Sequence, residues 1–128
     1  MTNNKFEIKS IGNLIFRIEF FNGAGIDLTD AELIHETLTS LAQGNKYCIL
    51  LDAQHQFTTT PESRAFVAKK VSGRIAFAIV TKSIANRLVG NFFIQFNKPV
   101  SPTRLFADED AAIQWLKEQK EQFDSLNK

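Results

Sequence analysis

Tyr47-Cys48-Ile49-Leu50-Leu51 is an unbroken apolar run closed by Asp52. A strand with one wet face alternates apolar and polar residues, so an uninterrupted run predicts a central strand covered on both faces. Such a strand belongs to a sheet with helices packed against it. Asp52 then stands at the strand's C-terminal end, the edge at which open α/β sheets bind ligands. Residues 74–81, Arg-Ile-Ala-Phe-Ala-Ile-Val-Thr, entered through Ser72-Gly73, read as a second buried strand.

Before the central strand, residues 5–9 and 13–20 are rich in Ile and Phe and flank Ile11-Gly12-Asn13, which predicts a tight hairpin. In its second arm Leu14, Phe16, Ile18 and Phe20 alternate with Ile15, Arg17 and Glu19, one set toward the core and the other partly in solvent. The loop Phe21-Asn22-Gly23-Ala24-Gly25 holds turn-making glycines, too few and wrongly ordered for a phosphate cradle. Thr29-Asp30-Ala31-Glu32 has capping-box spacing and opens a helix to about Gln43, stopped by Gly44-Asn45. Leu33, Ile34, Thr37, Leu38 and Leu41 form the stripe expected to lie on the sheet.

After the central strand, residues 53–60 form a polar loop in which Thr60 serves as N-cap, with Pro61 as the first residue of a short helix to about Val71. Residues 82–97 predict a long helix whose Ile84, Ala85, Leu88, Val89, Phe92, Phe93 and Phe96 recur at helical spacing. Pro99 and Pro102 end it, and residues 103–106 make a last strand. Asp108-Glu109-Asp110 place carboxylates where the dipole of a terminal helix favours them. Ala111, Ala112, Trp115 and Leu116 supply that helix's inner face, and from about Glu118 a solvated helix end or a frayed tail is expected. The order ββαβαβαβα implies an α/β fold with a mixed sheet of about five strands and about four helices.

A chain of 128 residues, 44% hydrophobic and 23% charged, suits one self-folding domain over residues 1–128, with its core at about 5–117. Twelve Phe against one Trp and one Tyr suggest a Phe-rich core. The net charge of +1 supplies no field to gather phosphate backbones, so nucleic acid is not the expected partner. The N-terminus has no apolar stretch of the secretory type, and no run approaches the length of a membrane span, so the expectation is a cytoplasmic protein without integral membrane association. The only cysteine, Cys48, reads as a buried thiol suited to a reducing compartment.

Three passages, Cys48-Ile49-Leu50-Leu51-Asp52, Ala76-Phe77-Ala78-Ile79-Val80-Thr81 with Ile84-Ala85-Asn86-Arg87-Leu88, and Phe106-Ala107-Asp108-Glu109-Asp110-Ala111-Ala112-Ile113-Gln114-Trp115-Leu116, resemble the STAS domain. This is the fold of SpoIIAA and other bacterial anti-sigma-factor antagonists. The first passage is similar to the family's central strand, the second to its next strand and helix, and the third to its closing strand, acidic turn and Ala-rich helix. The resemblance implies a SpoIIAA-like fold and a regulatory, protein-binding role without enzymatic activity. In the antagonists a kinase phosphorylates a Ser in an Asp-Ser-Ser-Gly-like turn at the start of the helix after the central strand. The segment here reads Phe57-Thr58-Thr59-Thr60-Pro61-Glu62-Ser63, with neither Asp-Ser nor Gly. Thr59, Thr60 and Ser63 are the candidate phosphorylation positions in that neighbourhood, against the plainer reading of Thr60 as a helix cap. Sec14-type lipid-binding domains have a related architecture, which keeps a lipophilic ligand in view.

His35 and His55 are scattered and lack further ligands at metal spacing, so neither a metal nor another cofactor is expected. Asp52 and His55, with Arg64 or Arg87, could form a small polar site, but no nucleophile accompanies them; alternatively, Asp52 simply accepts hydrogen bonds from loop amides. Phe92-Phe93-Ile94-Gln95-Phe96 widens the apolar stripe of its helix, which either leaves some Phe over for a partner or ligand or places all three Phe in the core beneath the loop at residues 99–102. The expected binding surface therefore comprises Asp52, His55, Thr59, Thr60, Ser63, Arg64, Arg87, Phe92, Phe93 and Phe96, with a protein partner or a homodimer as its target. The alternative is a small lipophilic ligand held between these helices and the sheet.

Overall fold

The computed structural model describes residues 1–69 and 72–127. Strands β1 (Phe6–Ser10) and β2 (Ile15–Phe20) form the hairpin, and Gly12, Asn13 and Leu14 take positive φ in its turn. There follow β3 (Ala24–Ile26), α1 (Leu28–Ala42), β4 (Tyr47–Asp52), β5 (Phe57–Thr59), α2 (Pro61–Lys69) and β6 (Arg74–Val80). The chain then forms α3 (Ile84–Phe92), a π-helical turn (Phe93–Asn97), β7 (Thr103–Phe106) and α4 (Glu109–Leu126). The five-stranded sheet runs β1-β2-β4-β6-β7, antiparallel at β1 and β2 and parallel elsewhere.

From β2 to β7 the chain always adds its next strand on the same side. Right-handed crossovers then put α1, α2 and α3 on one face of the sheet. There Leu38 and Ala42 of α1, Ala68 of α2 and Phe93 pack with Phe16, Ile18, Ile49, Leu51, Phe77 and Ile79. The other face is covered by α4, whose Ala112 and Leu116 meet Ile15, Cys48, Leu50, Ala76, Ala78 and Val80. Two covered faces explain why β4 and β6 are buried along their whole length.

Several expectations need correction. The stretches of sequence at β3 and β5 look like loops, yet they pair in parallel as a separate two-stranded sheet; three residues are too few for a periodic signal. The box that opens α1 is made by Asp27 and Asp30, two residues ahead of Thr29. Its buried positions are Ala31, Leu38 and Ala42, with Leu33 and Leu41 exposed, because the small alanines let the helix sit close to its neighbours. Past Glu118, α4 continues to Leu126, with Phe123 packed toward the core and Lys120 paired to Asp124 at 2.7 Å. The expected end of α2 at Val71 lies outside the described residues. Among the described residues no helix is long and apolar enough to cross a membrane.

Candidate functional site

The largest departure from the sequence reading is the orientation of α3. Ser83 caps it by accepting from the Asn86 amide, and the residues it buries are Asn86 and Gly90. The Asn86 side chain donates to the carbonyls of Ala53 at 2.6 Å and His55 at 2.8 Å. A Cβ built on Gly90 would stand 2.7 Å from Leu105 Cδ2, so a side chain here would have to push the Leu105 side chain aside. The polar and small side of α3 therefore faces the protein. Its large apolar residues face solvent, with Leu88 65% exposed beside the exposed Ile84, Val89 and Phe92, and Phe96 of the following π-helical turn is 68% exposed.

This exposed set is organised. The Phe92 and Phe96 rings stack with centroids 4.5 Å apart, and the Arg64 guanidinium of α2 stands 6.0 Å from the Phe92 ring centroid. Arg64 is anchored to Thr59, donating from Nη1 to its carbonyl at 3.0 Å and its Oγ1 at 2.7 Å. Arg64, Phe92 and Phe96 thus share a surface, and Arg87 is exposed on α3. Phe93 does not belong there: it is 6% exposed and meets Phe77 edge-on at 6.1 Å. Successive helix positions are about 100° apart, which separates Phe92 from Phe93.

At the start of α2, Thr60 is the N-cap expected from sequence. Its Oγ1 accepts from the Ser63 amide at 3.1 Å, and Ser63 Oγ accepts from the Thr60 amide at 3.1 Å and donates to the Thr60 carbonyl at 2.8 Å. Ser63 is buried inside this reciprocal cap, whereas Thr59 and Thr60 are half-exposed.

Asp52 does not join Arg64 or Arg87. Side chains alternate across a strand, and Asp52 falls on the α4 side of the sheet while α2 and α3 lie on the other. Its partner is Arg17 Nη2. Arg17 also donates to Glu109 Oε1 at 2.9 Å and Glu19 Oε1 at 3.3 Å, and His55 Nε2 stands 3.6 Å from Glu19 Oε2. Burial pulls the Arg17 pKa down, but its bonds to Glu109 and Glu19 outweigh that and leave it raised. The Gln54 amide also bonds Asp52 Oδ1 at 3.2 Å, as the turn-fixing alternative anticipated. This group ties the first turn of α4 to β2 and β4, with no nucleophile in it. The signal overlooked was Arg17 and Glu19 at alternate positions of β2, one strand from Asp52. Burial pushes the Cys48 thiol up to about 11, which removes its nucleophilic form at neutral pH.

A cavity of about 130 Å³ lies between the sheet and helices α1, α2 and α3. Apolar residues, among them Ile34, Leu38, Ile49, Phe77 and Phe93, make most of its wall, and Arg74, Arg64, Ser63 and Asn86 supply polar groups. His35, placed by sequence off the apolar stripe, is half-buried in this wall and edge-on to Phe66 at 5.9 Å.

The family model for a domain of unknown function, DUF7793, matches residues 8–120. An uncharacterised DUF3478-family protein with a SpoIIAA-like fold from Shewanella loihica PV-4 is 15% identical, with a TM-score of 0.60 over 91% of this chain and 98% of that one. The anti-sigma factor antagonist SpoIIAA in its unphosphorylated form is 20% identical, with a TM-score of 0.51 over 88% of this chain and 97% of its own. These likenesses establish the SpoIIAA-like fold, in agreement with the STAS resemblance in the sequence. No curated protein matches the chain.

Proposed function

The chain belongs to the DUF7793 family, and we propose that on its SpoIIAA-like fold it works as a non-enzymatic, regulatory protein-interaction module of a bacterial cytoplasm. The observation that carries this reading is the outward apolar face of α3. A helix on a sheet gains most by burying its large side chains, at about 1.5–3 kcal/mol for each Leu, Ile or Phe. Here Ile84, Leu88, Val89, Phe92 and Phe96 stay in water, an arrangement that favours a partner surface over folding alone. The stacked Phe92 and Phe96, with Arg64 beside them, have the aromatic and guanidinium character of residues that dominate binding energy. The partner is another protein with an apolar surface, or a second copy of the chain.

Leu88→Asp and Phe92→Asp test this. Light scattering reports self-association. Affinity capture from the source bacterium, followed by titration with the purified captured protein, reports a different partner. The expected result is that Leu88→Asp and Phe92→Asp keep the wild-type melting temperature and bind at least about 100-fold more weakly, the scale of a lost hot spot. Undiminished binding by both folded variants would remove the proposal.

The cavity favours a second reading, in which the domain holds a small lipophilic ligand between its helices and sheet. A cavity of about 150 Å³ lined by Leu, Ile and Phe takes up benzene, and this one has similar volume and lining. Native mass spectrometry of gently purified protein checks it. An apo mass that small apolar compounds do not shift counts against it.

A further inference from the structure

Arg74 opens β6 and is only 8% exposed. Its Nε donates to Ser101 Oγ at 2.7 Å, and its guanidinium carbon stands 5.1 Å from the Phe77 ring centroid. Its Nη2 is buried without a hydrogen-bond partner among the described residues, and no carboxylate among them pairs with it. Burial draws its pKa down to about 10, which leaves the group charged at neutral pH. A hydroxyl and a ring face are thin compensation for a buried cation, since burying an ion without a counter-charge costs several kcal/mol. Arg74 is part of the cavity wall, together with Tyr47 and Phe77.

We propose that the cavity binds a small hydrophobic monocarboxylate, with the carboxylate accepting from the Arg74 guanidinium and the hydrocarbon part filling the space beside Leu38, Ile49 and Phe77. This deepens the second reading above and rests on it. The charge arithmetic favours a monoanion, because one buried guanidinium neutralises one negative charge. A phosphate would bring up to a second charge and further oxygens that need donors. The volume limits the hydrocarbon part to about the size of benzene, the scale of hexanoate or benzoate. Half-exposed His35, Phe66 and Arg64, with the exposed Val89, form the part of the wall nearest solvent.

The test is calorimetric titration of the full chain at pH 7 with hexanoate, benzoate, 1-hexanol and toluene. Wild type should bind hexanoate at least about tenfold more tightly than 1-hexanol, the margin of a charge-assisted hydrogen bond. Arg74→Met, which keeps volume and removes charge, should lose that preference and still bind 1-hexanol. Ile34→Phe, which narrows the cavity and leaves Arg74 in place, should lose both ligands. The wild-type preference is read without any variant, so misfolding of Arg74→Met leaves the test intact. Binding of 1-hexanol and toluene without the carboxylates, or a hexanoate preference that survives Arg74→Met, would overturn the assignment to Arg74 while the cavity remains a ligand site. Failure of all four compounds to bind wild type would overturn the inference and the cavity reading together.

Discussion

The Asn86 side chain reaches from the first turn of α3 to the Ala53 carbonyl at 2.6 Å, and the same Nδ2 donates to the His55 carbonyl at 2.8 Å. A buried amide at this position fastens α3 to the loop after β4 through polar bonds, so the helix docks without spending its large apolar residues. Asn86→Ala should leave two loop carbonyls without their donor and cost about 1–3 kcal/mol. Urea denaturation reads this as a lower midpoint with the slope unchanged. A midpoint equal to wild type would show that the amide does not hold the helix in place.

The box at the start of α1 should make stability depend on acid. Burial alone raises the Asp30 carboxyl, but the Lys5 ammonium at 2.8 Å, with the Asp27 backbone, outweighs it and holds the pKa below its ordinary value. A carboxyl depressed in the folded state contributes stability above its unfolded pKa of about 3.9 and loses it as pH falls through the folded value. Asp30→Asn should therefore melt lower than wild type at pH 7, and the gap should close as the pH drops below about 3.9. Thermal melts of both proteins from pH 7 to pH 3 decide it, and a gap independent of pH would contradict the charge argument.

What sequence reveals here follows from how locally each feature is encoded. The run from Tyr47 to Asp52 fixes its own burial, and the Thr60-Pro61 pair its own cap, since the atoms involved are neighbours in the chain. The Arg17–Asp52 pair joins positions 35 residues apart and follows only from strand register. For α3 the sequence carries the periodicity and leaves the facing open. Spacing shows that Ile84, Leu88 and Phe92 share a side, but which side meets the sheet depends on Asn86 and on the close approach at Gly90. Of the Phe residues at the end of that stripe, Phe92 and Phe96 are exposed and Phe93 is buried. The charge on the cavity wall had no local signal, because Arg74 stands at the edge of an apolar strand and loses its water only when Ser101 and Phe77 close around it.

Phe92 and Phe93 give the sharpest check on that facing, because they are adjacent and differ in little but position. Phe93 is buried against Phe77, and truncating it removes transfer energy and leaves a cavity, so Phe93→Ala should destabilise the domain by about 3–5 kcal/mol. Phe92 is half in solvent, against Phe96 and the Arg64 guanidinium. Its loss to Ala should change folding stability by no more than about 0.5 kcal/mol, the usual range for surface positions. The ranking reverses for binding: Phe92→Ala should weaken partner capture or self-association, because its ring belongs to the surface offered to the partner. Guanidinium denaturation of the two variants, with binding measured on whichever remains folded, separates the roles. Equal destabilisation by both substitutions would mean that Phe92 is a core residue and that α3 turns its apolar side inward.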